Sequence, residues 1–376
     1  MRYYDIVITP QSTEGVSTLG LSTSATLNTL TGPSTVSGNR FGFTAGSSEP
    51  VARRWTSHPN GKFDPGALNV EFDIPVAPFG NLSDAASLLI EGVPLQDLFQ
   101  SEQFAGMNLT LRAGMKAGLP LANPNQSGLI VGAQIFQSFG NWEGTEMTLD
   151  FVLFPGQYTL DQPGNIVLNW KAGMKLSDAL QQTLSVAYPT MPLTINISSS
   201  LVQSHDEVAR CYTLQELGQL IQSITRGNFL GDDYDGVYIT IQGGRITVLD
   251  RTYRPNTVEL SFSDFVGQPT WIDNNIMQIK LVMRADIQLN SILEMPRGLQ
   301  SVPGLISSTA ASLPSSNKYK STFTGEFTVI KMRHVGNFRA ADGASWVTIV
   351  DCTPIPERKG TVTVGPTTFE GVVNGG

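Results

Sequence analysis

Histidine, cysteine and charge are all scarce in this chain, and each scarcity removes a class of function. Three histidines, His58, His205 and His334, and two cysteines, Cys211 and Cys352, occur among 376 residues. None of the histidines lies near another His or Cys at metal-ligand spacing, so no zinc or other transition-metal motif is readable and no cofactor is expected. The two cysteines are far apart and form no redox motif, which predicts two buried thiols. Charged residues make up 15% of the chain, against about 25% in an ordinary soluble domain. So neutral a surface is expected to cover itself against other subunits. The net charge of −8 and the lack of a Lys/Arg stripe exclude a protein that grips nucleic acid by releasing counterions.

Long apolar runs are absent too, so no segment reads as a membrane span. The opening, Met1 to Ile8, reads as a strand, with neither an apolar leader core nor a cleavage site, and the expectation is a protein made and kept in a cytoplasm. Nucleotide-binding glycine motifs, nucleophile elbows and zinc-protease helices are missing. "GDDYDG", Gly231 to Gly236, fails as an EF-hand loop: with Gly236 at the sixth position, Gly231 and Gln242 fall on the first and twelfth, where carboxylates are needed. His205-Asp206 lies in a polar connector without a matched nucleophile. The chain reads as no enzyme.

What is present is turn chemistry and alternation. The 37 glycines and 22 prolines favour β-rich architecture. "LNVEFDIPVAPFG" from Leu68 alternates as a strand does, and "LSDAASLLIEGVPLQDLFQSEQF" after it predicts a helical stretch starting at Ser83. Two helices are predicted in the middle. One follows Ser177 as cap in "LSDALQQTLSVAYP" and ends at Tyr188-Pro189. The other opens on a Thr213/Glu216 capping box and closes at Arg226-Gly227. Gly243-Gly244 is predicted as a two-residue hairpin turn. Residues 10–66, dense in Ser, Thr and Gly, read either as loop with irregular strands or as an insertion that packs on a neighbouring subunit.

The chain also repeats itself. "LIVGAQIFQSFGNWEGTEMTLDFVLFP", Leu129 to Pro155, and "VIKMRHVGNFRAADGASWVTIVDCTP", Val329 to Pro354, each carry a strand-like run, then Gly-Asn-aromatic, then a second run ending at proline. Further landmarks recur in the same order: Val70-Glu71-Phe72 with Val258-Glu259-Leu260, Phe79-Gly80 with Val266-Gly267, and Asn108 to Met115 with Lys280 to Ile287. An internal duplication is inferred. The fold class expected is α+β, mainly β, with two related β-rich domains flanking a small α+β domain. Boundaries are placed at 1–164, with the 10–66 insertion; 165–252; 253–355, with a loop insertion at 297–321; and a C-terminal extension at 356–376.

These segments, with "NWKAGMKLSDALQQTLSVAYP", "VGQPTW" and "KLVMRADIQLNSILEMP", resemble the baseplate hub proteins of tailed bacteriophages, those of contractile tails above all. The resemblance runs over most of Leu68 to Cys352 and leaves out residues 10–66 and the tail after Pro354. It implies that the β-rich domains are tube domains and that three chains assemble as a homotrimer, a ring of six domains matching the sixfold tail tube above and the threefold spike below. Partners would be the tail tube protein, the spike protein and other baseplate proteins, in a virion tail assembled in the bacterial cytoplasm. DNA would pass an acidic or polar lumen without specific binding. Function would then lie in surfaces: Arg112 and Arg284, either as bidentate inter-domain contacts or as solvated edge arginines; Asn141 and Trp142; His334, Asn337, Phe338 and Trp346; and the loop from Gln300 to Ser321. Two other readings stay open, a tail-associated glycan-binding module or cell-wall hydrolase, suited by the Ser/Thr/Gly-rich start and scattered aromatics, and a tube or wedge protein with one tube domain per chain.

Overall fold

A computed structural model describes residues 1–10, 52–78, 86–116, 126–155, 165–189, 191–232, 234–273, 275–296, 305–306, 325–355, 359–364 and 367–372. The Phe79-Gly80 landmark, residues 11–51 of the Ser/Thr/Gly-rich segment and most of the 297–321 loop lie outside them.

The first arm comprises β1 (Arg2–Thr9), β2 (Arg53–Thr56), β3 (Asn69–Val76), β4 (Ala86–Glu91), a short helix α1 (Leu95–Phe99), β5 (Asn108–Met115), β6 (Gly128–Glu143) and β7 (Glu146–Pro155). Here the expected helix at Ser83 is corrected: Ala86–Glu91 is a strand, held between β3 and β7 on antiparallel ladders. Its inward side chains, Ala86, Leu88 and Ile90, are buried, and a short apolar run of this kind fits helix and strand equally until sheet neighbours decide.

The middle unit comprises β8 (Ile166–Trp170), α2 (Leu176–Ala187), β9 (Leu193–Asn196), β10 (Glu207–Cys211), α3 (Leu214–Thr225), β11 (Tyr238–Gln242) and β12 (Arg245–Leu249). Its helices fall where the apolar spacing put them, and their buried faces share one core with Ile166, Trp170, Ile239 and Val248. The Thr213 hydroxyl caps α3 by accepting from Glu216 N, and the Glu216 carboxylate accepts from the amide of Tyr212, one residue before the cap. At α2 the expected cap is displaced: Lys175 is the capping residue, without a side-chain bond, and Ser177 turns to Asp178. Gly243 and Gly244 make the predicted turn, both at positive φ. A second reason for glycine is close approach: a Cβ on Gly132 of β6 would sit 3.0 Å from Gly244 Cα, so this turn presses backbone to backbone on the first arm.

The second arm comprises β13 (Thr257–Glu259), β14 (Thr270–Trp271), β15 (Met277–Val282), β16 (Ile292–Glu294), β17 (Leu305–Ile306), β18 (Glu326–Asn337) and β19 (Trp346–Pro354). Beyond it β20 (Lys359–Val364) and β21 (Thr367–Val372) form a separate hairpin. The fold is mainly β with a helical minority, as the sequence predicts. Fourteen strands of the two arms form one hydrogen-bonded network, and three clusters of buried apolar side chains lie in the first arm, the middle unit and the second arm.

The two arms share a five-strand pattern. In the first the order is β3-β4-β7-β6-β5, in the second β14-β15-β19-β18-β16, and every neighbouring pair is antiparallel in both. The first hairpin strand bulges in each, at Phe136 and at Ile330, and each bulge faces the residues two and three before the closing proline: Leu153 and Val152 before Pro155, Cys352 and Asp351 before Pro354. The bonds beside the bulge also repeat. Gly106 N donates to Ile135 O and Ile135 N to Met107 O; Asn290 N donates to Val329 O and Val329 N to Ser291 O. Gly106 (φ 82°) and Asn290 (φ 64°) are both left-handed, a conformation that glycine and, among other residues, asparagine tolerate.

This topology corrects the landmarks. β5 matches β16 and not the Lys280 strand, whose counterpart is β4; Val70-Glu71-Phe72 lies on β3, whose counterpart is β14 and not the Val258 strand. The hairpins do correspond, but with the prolines aligned Gly140 falls on His334 and Trp142 on Gly336, two residues from the match of identities. A slip of two preserves the face of a strand, which is why the eye accepts it. Beyond the shared five strands the arms diverge: β1 lies antiparallel on β5, whereas β13 lies parallel on β16.

Candidate functional surface

The arms meet where β3 pairs with the second half of β18, Glu71 to Val76 against Asn337 to Met332. This seam gathers most of the candidate residues. Asn337 donates from its amide to the Glu71 carboxylate opposite it, and its Oδ1 accepts from Arg339 N and Ala340 N. Arg333 bridges to Asp73 through two bonds. Phe338, half-buried, packs edge-on against Tyr4 (4.9 Å) and near Trp346 (6.1 Å). Trp346 is buried, donates from Nε1 to Gly114 O at 3.0 Å across the arms, and meets Phe72 edge-on at 5.2 Å. A Cβ on Gly336 would strike the Phe72 ring at 2.4 Å, so only glycine lets that ring lie across β18. From the first strand Arg2 reaches over the seam, and its guanidinium donates to the carbonyls of Asn337, Ala340 and Asp342.

Two candidates are charged or titratable groups inside the chain. His334 is buried, with Nδ1 3.0 Å from Thr348 Oγ1, and burial lowers its pKa to about 4. Arg284 is also buried; burial acts to lower its pKa, but the bonds and charges of Asp286 and Asp264 outweigh it and the net shift is upward. The Asp286 carboxylate takes two bonds from it, at 2.9 and 2.7 Å. Asp264 lies 3.3 Å from Arg284 Nη1 and accepts from Gln126 Nε2 at 2.8 Å, so the Arg284 cluster touches the first arm through Gln126. Arg284, His334 and Trp346 are thus internal to the chain.

The remaining candidates are exposed. Arg112 projects outward from β5. Asn141 donates to Asp150 across the β6–β7 hairpin at 2.7 Å, and Trp142 Nε1 donates to Gly144 O. Trp142 is 59% exposed, and Phe139 beside it 47%. Phe139 was not singled out from sequence, although its alternation with Asn141 on a strand end was the available signal. Among the described residues no strand pairs with Ser138–Glu143 on the side away from β7, because β5 covers only Gly128 to Gln134. No group of three or more His, Cys, Asp or Glu among them could hold a metal ion, and no described helix is long and apolar enough to cross a membrane. Both cysteines are buried thiols, with pKa values raised chiefly by burial.

No family model and no curated protein matches the chain. Solved structures do. A tail protein from Neisseria meningitidis is 11% identical over 76% of this chain and 91% of its own, with a TM-score of 0.42. A 43 kDa tail protein of prophage MuSo2 from Shewanella oneidensis is 6% identical over 78% of this chain and 96% of its own, with a TM-score of 0.43. An E. coli component of the type VI secretion system, described as structurally similar to T4 bacteriophage tail proteins, is 8% identical over 77% and 74%, with a TM-score of 0.44.

Proposed function

We propose that this chain is a structural hub of a phage tail baseplate, a homotrimer that joins a sixfold tail tube to a threefold spike and lines the channel through which DNA passes. The observation that carries the reading is the five-strand pattern occurring twice in one polypeptide, with the same order, bulge and left-handed residue. Three chains with two such units each supply six similar units to one ring, which reconciles threefold with sixfold symmetry. The units are 1–164 and 253–355, with 165–252 between them and 356–376 as an extension.

In this reading the seam residues Arg284, His334, Asn337, Phe338 and Trp346 fix the two units of one chain at a constant angle, while Arg112, Asn141 and Trp142 face neighbours: further copies, the tube protein, the spike or other baseplate proteins. The protein is no enzyme, needs no cofactor and resides in the virion tail. Electron microscopy of assembled tails, with the chain tagged, tests this directly. Three copies in a ring between tube and spike are expected, and a single copy in a complete tail would sink the reading.

A further inference from the structure

We infer that the outer face of the β1–β2–β5 sheet around Tyr3 is a docking surface for an acidic peptide of a partner protein, with Arg112 and Lys116 supplying the cations. The surface stands on its own chemistry, whether or not three chains close a ring. Ladder register sets its layout. β1 lies between β2 and β5, and its alternate residues Tyr4, Ile6 and Ile8 enter the core, so Tyr3, Asp5 and Val7 take the other face. On that face Arg112 of β5 stands directly across from Asp5, and Arg54 of β2 directly across from Val7.

Asp5 is already engaged. It is buried, and its two oxygens accept from Arg54 Nε and Nη2 at 2.7 and 3.0 Å. Arg112, exposed across from the same carboxylate, has no acidic partner among the described residues. The second arm shows the opposite state: Arg284 is held between Asp264 and Asp286. Arg53, Arg251 and Arg333 each pair with an aspartate as well. Lys116 carries its ammonium 4.5 Å from the centre of the Tyr3 ring, a contact made through charge that leaves its N–H donors for a ligand. The Tyr3 hydroxyl registers the same neighbours: burial and Asp5 raise its pKa, and Arg112 and Arg54 oppose them. Three cations against one carboxylate thus surround Tyr3, in a chain whose net charge is −8.

Beside the cations lies an aromatic ledge. His58 packs edge-on against Tyr3 at 5.5 Å and against Phe63 at 5.6 Å, and Phe63 is 41% exposed. Ser57 Oγ, 2.9 Å from His58 Nδ1, holds the ring in place. The His58 pKa is lowered by burial first and by Lys116 next, so the ammonium borders the ledge too. Donors shaped for carboxylates next to an apolar step fit a peptide in which acidic residues flank an apolar one. A DNA duplex fits less well, because its charges repeat about every 1.7 Å along the axis and call for a stripe of cations, while the acidic remainder of the chain repels it.

Calorimetric titration of the full chain at low salt tests this with three probes: a capped pentapeptide of four glutamates around a central leucine, the same peptide with glutamines, and a short DNA duplex. The glutamate peptide is expected to bind, and Arg112→Gln to weaken it about tenfold, the worth of one charge-assisted contact. Arg245→Gln removes the same charge from an exposed position of the middle unit and should leave binding unchanged. Both substitutions are at exposed strand residues, so the fold is kept. The chain has three histidines, and in a proton NMR titration the ring signals of His58 are expected to move with the glutamate peptide while those of buried His334 stay. No binding of the glutamate peptide, equal binding of the glutamine peptide, or an equal loss in Arg245→Gln overturns the inference. So does tighter binding of the duplex with the same dependence on Arg112.

Discussion

The two hairpins, β6–β7 and β18–β19, have the same bulge at the same distance from a closing proline, yet one ends in the interior and the other in solvent. Trp346 is buried against Phe72 and Phe338, whereas Trp142 stands 59% exposed at the end of the matching hairpin. What separates them is a neighbour: the second hairpin lies against β3, and the first has no strand there among the described residues. The two tryptophans are not equivalent positions, since Trp142 falls on Gly336 and Trp346 on Met147, but the two hairpin ends acquire opposite environments from what the chain brings alongside. Aromatic residues at an edge report on partners more than on the fold that bears them.

The largest effect that sharpens this contrast is on stability. Trp346→Ala removes a buried ring and a cross-arm hydrogen bond, and is expected to cost about 3–5 kcal/mol. Trp142→Ala is expected to change the stability of the isolated chain by less than about 0.5 kcal/mol. Denaturant unfolding of both variants checks this, and equal losses would break the contrast.

Next comes acid. His334 of the second hairpin is held neutral, with its pKa lowered to about 4 by burial, whereas an unfolded histidine titrates near about 6.5. Between these values the unfolded chain binds the extra proton, so stability is complete above the unfolded pKa and falls as pH drops towards the folded one. The loss amounts to roughly 3 kcal/mol over that window. Gly140 occupies the equivalent place in the first hairpin and titrates nothing. Unfolding free energies measured across the window should show this slope in the native chain and a flatter one in His334→Gln.

The smallest effect concerns the shared left-handed position. Gly106→Ala should cost about 1 kcal/mol, and Gly106→Asn, which copies the second arm, less. A larger cost for Asn would mean that the two bends are not equivalent.

Much of the middle unit was legible because local chemistry decides it. The Thr213 cap, the Gly227 stop and the Gly243-Gly244 turn each satisfy a backbone requirement within a few residues. The repeat was legible only as an echo. Its hairpins were found, but the bulge and the slip of two hid the residue alignment, and β4 passed for helix because its apolar run lacks a period that separates the two states. The deeper equivalence lies in hydrogen bonds, such as those of Gly106 and Asn290, which involve backbone and leave little trace in side-chain identity. Of the candidate residues, Asn141 and Trp142 lie exposed on the β6–β7 hairpin. That His334 and Trp346 lie inside was not readable, because their cover, β3, is some 260 residues away.

Arg2 closes the seam by donating to carbonyls at Asn337, Ala340 and Asp342. On a ribosome, the Arg2 side chain must therefore wait for the 335 to 340 residues after it before these partners exist. Contacts this remote in sequence form late and slowly, and a half-synthesised chain offers an open first arm to its neighbours. The seam cannot close until everything between Arg2 and Asp342 has been made.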